Sequence, residues 1–314
     1  MKKRTMVLLW VVSLFLVGCH TGELEKKGDA TISVTDSVNN EVALRQIPNT
    51  VVVLSTSWAD IWQLAGGKIH GITRDALTEG NLELEDDVID IGTVREPNLE
   101  IILSLEPDFV ILSQDISSHA DIAISLSEIG IPFYTTKVDT FEDYLKVLKD
   151  FCEITGNEDN YHTYGVQIES EIQDLLSTLP VVEEGSQKTA IFLRAFSTGV
   201  RAIADEHVVC DILEQIGVKN IAKTEGFPLD DISLEIILEQ DPDYIFITTM
   251  GDEEKAIASL DNSLTSDPAW STLSAIQDNQ MVFLAKDLYH YKPNARWAEA
   301  YETLLKIVYP EIYN

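Results

Sequence analysis

LEIILSLEPDFVIL at residues 99–112 and LEIILEQDPDYIFI at residues 234–247 are two copies of one segment, offset by 135 residues. Leu, Glu, Ile, Ile, Leu, Pro and Asp recur in place, and other pairs are conservative: Glu106 with Asp241, Phe109 with Tyr244, Val110 with Ile245. Each copy reads as a short helix, a Pro-Asp turn and a buried strand. The repeat therefore predicts two lobes of similar construction. It also sets Glu100 and Glu235 at equivalent points of the two lobes.

Working outward, residues 31–47 read as a hairpin turning at Asn39 and Asn40. Val51, Val52, Val53 and Leu54 form an apolar run without alternation, which marks a strand covered on both faces. A helix from near Trp58 to Gly66 and Gly67 follows, then a strand at 69–72, with Asn98 as a candidate N-cap of the first repeat helix. Strand 109–112, helix 122–129 and strand 132–135 continue a βαβ alternation that predicts a mostly parallel sheet. The centre differs. Residues 140–155 and 158–179 carry helical periodicity with no strand between them, and Tyr161, Tyr164, Ile168, Ile172, Leu175, Leu176 and Leu179 share the helical spacing. A helix of about 20 residues is roughly 30 Å long, enough to join two small lobes. The expected class is α/β, with two parallel-sheet-based lobes joined by one long rigid helix. The expected divisions are a leader at 1–18, a tether at 19–30, an N-terminal lobe at 31–157, a linking helix at 158–180 and a C-terminal lobe at 181–314.

The leader has a basic start, Lys2, Lys3 and Arg4, and an apolar run at 7–17 too short to span a bilayer comfortably. Leu16, Val17, Gly18 and Cys19 then resemble a bacterial lipobox, which implies cleavage before Cys19 and lipid attachment to it. The expected location is the outer face of the cytoplasmic membrane, with the lipid on Cys19 as the only membrane contact. Cys152 and Cys210 lie in apolar helical stretches and read as buried free thiols. The chain's formal charge is −31, and loss of the leader's three basic residues deepens it to −34. Such acidity repels nucleic acid, so no nucleic-acid partner is expected.

In parallel α/β lobes, ligands bind beyond the carboxyl ends of the strands. That rule selects Ser57 and Trp58, Arg74, Arg95, the run from Arg194 to Phe196, Phe227, Met250 and the stretch Tyr289, His290, Tyr291 and Lys292, with Arg296 just beyond. Guanidinium groups bind carboxylate, hydroxamate or catecholate oxygens in forked geometry, and the aromatic rings suit a large planar or cyclic ligand. Tyr289, His290 and Tyr291, with His119 from the opposite lobe, are the residue types that ligate haem iron. The alternative is that they are wall residues, and no metal ligand is assigned. No GxSxG, HExxH or Gly-rich phosphate loop is present, and of six histidines His20 falls in the tether, so a secreted enzyme is not expected.

The opening at 51–67, the block at 92–112, its second copy at 233–247 and the late KPNARW segment at 292–297 together resemble the substrate-binding lipoproteins of ABC importers for ferric siderophores, haem and cobalamin. The resemblance covers roughly residues 31–309. It implies a ligand cleft between the lobes and a transported iron chelate or haem, with cobalamin as the alternative, and no resident cofactor. It also implies that Glu100 and Glu235 dock into basic pockets of the permease dimer. Placement in the first turn of each helix, where a carboxylate favours the dipole, is a second role for the same residues.

Overall fold

The computed structural model describes residues 32–79, 82–180, 185–230 and 232–313. The leader, the tether and Cys19 lie outside these residues. A hairpin, β1 (Ile32–Thr35) and β2 (Glu41–Leu44), pairs antiparallel with Val34 opposite Val42. Its turn is organised by buried Asp36, whose carboxylate accepts the backbone N–H groups of Val38 and Asn40 and reaches across to Thr135 N–H. The first sheet holds β3 (Val51–Val53), β4 (Gly71–Ile72), β5 (Ile89–Asp90), β6 (Phe109–Ser113) and β7 (Phe133–Thr136), ordered 5-4-3-6-7 and all parallel. The second holds β8 (Thr189–Phe196), β9 (Gly199–Ala202), β10 (Lys219–Asn220), β11 (Tyr244–Thr249) and β12 (Met281–Phe283). Its order is 10-8-11-12, parallel, with β9 folded back antiparallel on β8.

The repeat now has a physical basis. Both copies end their helix, Leu99–Ser104 or Leu234–Gln240, on a left-handed residue, Glu106 (φ 51°) or Asp241 (φ 38°), followed by proline. The next residue is the aspartate of the motif. Asp108 accepts the N–H groups of Asn49 (2.8 Å) and Thr50 (2.9 Å) at the start of β3. Asp243 accepts the N–H (2.7 Å) and hydroxyl (2.8 Å) of Thr189 at the start of β8. In each lobe the motif thus turns the chain and satisfies the exposed donors of the neighbouring strand.

Helix Phe141–Thr155 begins with a capping box from Thr140 and Asp143 and ends at left-handed Gly156 (φ 74°). The linking helix then runs through Glu158–Tyr161 and Gln167–Ser177 with a π-turn, His162–Val166, between them, so it is continuous but locally widened. Tyr144 donates its hydroxyl to the Tyr164 carbonyl in that turn (2.8 Å), supplying an outside partner where the i→i−4 ladder slips. At its start Asn160 donates to the Leu64 carbonyl (2.9 Å), and at its end the Leu175 carbonyl accepts from Tyr313 (2.5 Å). Helix Trp297–Val308 closes the fold. Phe141 and Tyr144 both meet Trp297, edge-on or tilted, with the Phe141 and Trp297 rings 5.6 Å apart, and Trp297 in turn meets Tyr301, so an apolar core runs between the two sheets. Trp62 and Trp297 are buried in it. Cys152 and Cys210 are buried free thiols, pushed up by burial to about 11 and about 12. Among the described residues, no helix is long and apolar enough to cross a membrane.

Candidate ligand-binding cleft

A cavity of about 680 Å³ lies between the two sheets. Its walls are built from loops at the carboxyl ends of strands. After β3, Ser55 N-caps helix Thr56–Leu64, which brings Ser57 and Trp58 to the cavity. Asp75, in helix Arg74–Glu79 after β4, accepts the Thr56 hydroxyl (2.9 Å), and its other oxygen is buried without a partner. Asp115 follows β6 and Asp139 follows β7. From the second lobe come Arg194 on β8, His207 at the cap of helix Val208–Gln215, Met250 after β11 and the stretch from His290 to Lys292.

The electrostatics are mixed. Lys292 is half-buried, its ammonium 3.3 Å from Asp139 across the lobe boundary. Lys137 also bridges the lobes, 3.3 Å from Asp139 and 3.3 Å from Glu206. Burial pulls the Lys292 pKa below that of an ordinary lysine, and the Asp139 carboxylate opposes that pull. Arg194 Nη2 lies 3.3 Å from His290 Nδ1 and 3.8 Å from Met250 Sδ, while its buried Nε has no partner. Burial lowers the Arg194 pKa as well. His207 accepts the Val209 N–H at Nδ1 (3.2 Å) and packs tilted against Phe192, ring centres 4.7 Å apart. Burial, then the positive charge of Arg194 and Lys292, drives its pKa well below the histidine norm, so the ring is neutral.

A sequence profile described as periplasmic binding protein matches residues 51–288. The chain belongs to this family. A curated relative, the Fe(3+)-citrate-binding protein YfmC of Bacillus subtilis (strain 168), is 24% identical over 98% of this chain and 96% of its own. The Fe(3+) dicitrate-binding periplasmic protein FecB of Escherichia coli (strain K12) is 25% identical over 76% of this chain and 77% of its own. Among solved structures, Staphylococcus aureus SirA complexed with staphyloferrin B superposes with a TM-score of 0.68 at 19% identity, covering 88% of this chain and 98% of that one. The last likeness is one of fold, the two-lobe α/β architecture of periplasmic binding proteins.

Within this periplasmic binding protein, Ser57, Trp58, Arg95, Arg194, Met250, His290, Tyr291 and Lys292 line the cleft. The remaining expected residues do not. Arg74 faces solvent and pairs with Asp90 (2.8 Å), holding that carboxyl below the usual range. Arg296 forks onto Glu299 (2.6 and 2.7 Å) and also binds Asp287 (2.6 Å), lining a smaller adjoining cavity of about 220 Å³. Phe196, two residues along β8 from Arg194, has its ring 5.7 Å from the Arg194 guanidinium and 5.8 Å from that of Arg201, the residue paired with Arg194 on β9, and it does not line the cavity. Phe227 packs against the core of the second lobe. Tyr289 is 1% exposed and donates its hydroxyl to the Ala300 carbonyl (2.8 Å); burial raises its pKa, so it is a core residue and not an iron ligand.

His119 is excluded as a ligand too. Its Nδ1 accepts the Ser113 N–H (2.9 Å), and its Nε2 lies 2.9 Å from the Val94 carbonyl, so both nitrogens are engaged within the first lobe. Among the described residues no group of three or more His, Cys, Asp or Glu is placed to hold a metal ion. Asp75, Asp115, Asp139, Glu206 and His207 also line the cavity, and none of them is an arginine or an aromatic of the kind that marks the site in the sequence. Asp115 and Asp139 lie just past strand ends, where the same positional rule would have found them. Glu100 and Glu235 are exposed in the first turns of their helices, and the Glu100 N–H is capped by Asn98 (2.9 Å).

Proposed function

We propose that this protein captures a ferric chelate in the cleft between its lobes and delivers it to the permease of an ABC importer. The observation that carries this reading is the cleft itself: about 680 Å³, walled by strand-end loops of both lobes, with Arg194 and Lys292 half-buried in its lining. A cavity of that size suits a small chelate, and the ferric citrate relatives and the staphyloferrin complex support iron as the cargo. The iron arrives inside its chelate, with His290 and Tyr291 as wall residues. Haem is the second form of iron cargo. The withdrawal of Tyr289 and Phe227 into the lobe leaves fewer rings to cradle cobalamin. No chemical turnover belongs to this role.

The remaining parts of the reading follow from the sequence. Lipid on Cys19 holds the protein at the outer face of the cytoplasmic membrane, and Glu100 and Glu235 meet basic pockets of the permease dimer. Two exposed carboxylates on the two lobes suit two symmetry-related sites. The test is a titration of the purified chain with ferric citrate, a ferric trihydroxamate, a ferric tricatecholate, haem and cobalamin, read by tryptophan fluorescence and visible absorbance. Saturable one-to-one binding of an iron complex is expected. Saturation by cobalamin alone, or by none of the panel, refutes the iron reading.

A further inference from the structure

The charges around the cavity sort into two sets. Glu206, Lys137, Asp139 and Lys292 are committed to one another in a chain of three contacts, each 3.3 Å, that crosses the lobe boundary twice. Asp75, Asp115, Arg95 and Arg194 line the same cavity and make no ion pair among the described residues. Each set holds two cations and two anions. The cleft therefore carries no net positive charge for a polyanion to neutralise, although the arginine-rich loops suggest one from sequence.

The uncommitted charges are also unevenly placed. Both carboxylates come from the first lobe, where exposed Arg95 offsets only one of them. Arg194 alone comes from the second. Hydrogen bonding points the same way: the second Asp75 oxygen lacks a donor, and Arg194 Nε lacks an acceptor. A polyanionic chelate would meet Asp75 and Asp115 as like charges, which is the usual device for rejecting a wrong partner.

Resting on the reading of this cleft as a ferric-chelate site, we infer that the ligand is a ferric complex of near-zero net charge with two poles, a cationic donor group facing Asp75 and Asp115 and an anionic or strongly accepting group facing Arg194. The first lobe then selects for the cation, and the second for the acceptor.

The test uses a linear ferric trihydroxamate with a free terminal ammonium, the same chelate N-acetylated at that amine, and ferric citrate, each titrated into the full chain. The ammonium form should bind roughly tenfold more tightly than the acetylated form, the scale of one desolvated charge pair. In Asp75→Asn/Asp115→Asn the two forms should converge to within about twofold. Acetylated chelate binding as well as the free amine, or ferric citrate binding more tightly than either, overturns this inference and leaves the iron-complex reading standing. If no ferric complex saturates, both fall. The two hydroxamates differ only in the ammonium, so the wild-type comparison is decisive even if the double variant does not fold.

Discussion

Replacing Lys292 by methionine separates the stabilising from the ligand-binding use of a half-buried charge. At 3.3 Å from Asp139, the Lys292 ammonium gains roughly 5 kcal/mol of Coulomb attraction at an effective dielectric of 20. Withdrawing that ammonium from water takes back several kcal/mol, which is why its pKa sits below that of a free lysine. Removing one partner of a buried pair typically costs 3–5 kcal/mol through the orphaned charge. Here Asp139 keeps Lys137 at 3.3 Å, so the expected loss is smaller, about 1–2 kcal/mol. Urea unfolding followed by fluorescence would show it as a lower midpoint with an unchanged slope. Affinity for the ferric ligand should fall about tenfold or more. In Lys292→Met/Asp139→Asn, which removes the opposing charge, the midpoint should recover while affinity stays low. A single variant with an unchanged midpoint refutes the energetic argument. Affinity restored by the second substitution refutes the placement of Lys292 at the ligand.

Acid should destabilise the fold through His207. Its folded pKa is depressed by burial, so below the unfolded value of about 6.5 the unfolded chain takes up a proton that the folded chain refuses, and stability falls with pH at up to about 1.4 kcal/mol per unit. His207→Asn, which keeps an N-capping side chain, should lose less stability between pH 7.5 and pH 5.5 by urea titration; equal losses would remove His207 as the cause. Tyr289→Phe should cost about 1 kcal/mol through the lost bond to Ala300 and leave affinity unchanged, whereas a large affinity loss would return Tyr289 to the site. Glu100→Lys/Glu235→Lys should abolish importer-dependent uptake by whole cells with ligand affinity intact; normal uptake would show that these residues do not dock.

The repeat at 99–112 and 234–247 made both lobes legible because its Pro-Asp turn does the same structural work twice. The linking helix was legible from its periodicity, although not its π-turn, which depends on a tyrosine from another helix. Strands β5 and β10, of two residues each, are too short to show any period. Within the site, position after a strand end found eight of the cleft residues. It failed where a side chain's partner decides its role. Arg74 and Arg296 look alike to Arg194 in sequence, and only the carboxylates beside them remove them from the cleft. Tyr289 and Tyr291 are two residues apart, yet one points into the core and the other to the cavity.

The aromatic bridge of Phe141 and Tyr144 with Trp297 and Tyr301 bears on how the molecule comes apart. Two lobes with separate interiors would melt in two steps, and each could be grown alone. Each lobe keeps an interior of its own on the far face of its sheet, but with rings from both sides sharing a third, neither half can close its apolar surface without the other, so heat should dissolve the molecule in a single transition whose calorimetric and van't Hoff enthalpies agree. The halves are therefore poor modules for exchange. A chimaera that splices one half onto a relative's other half would have to carry this four-ring seam intact before any question about its cargo could be asked.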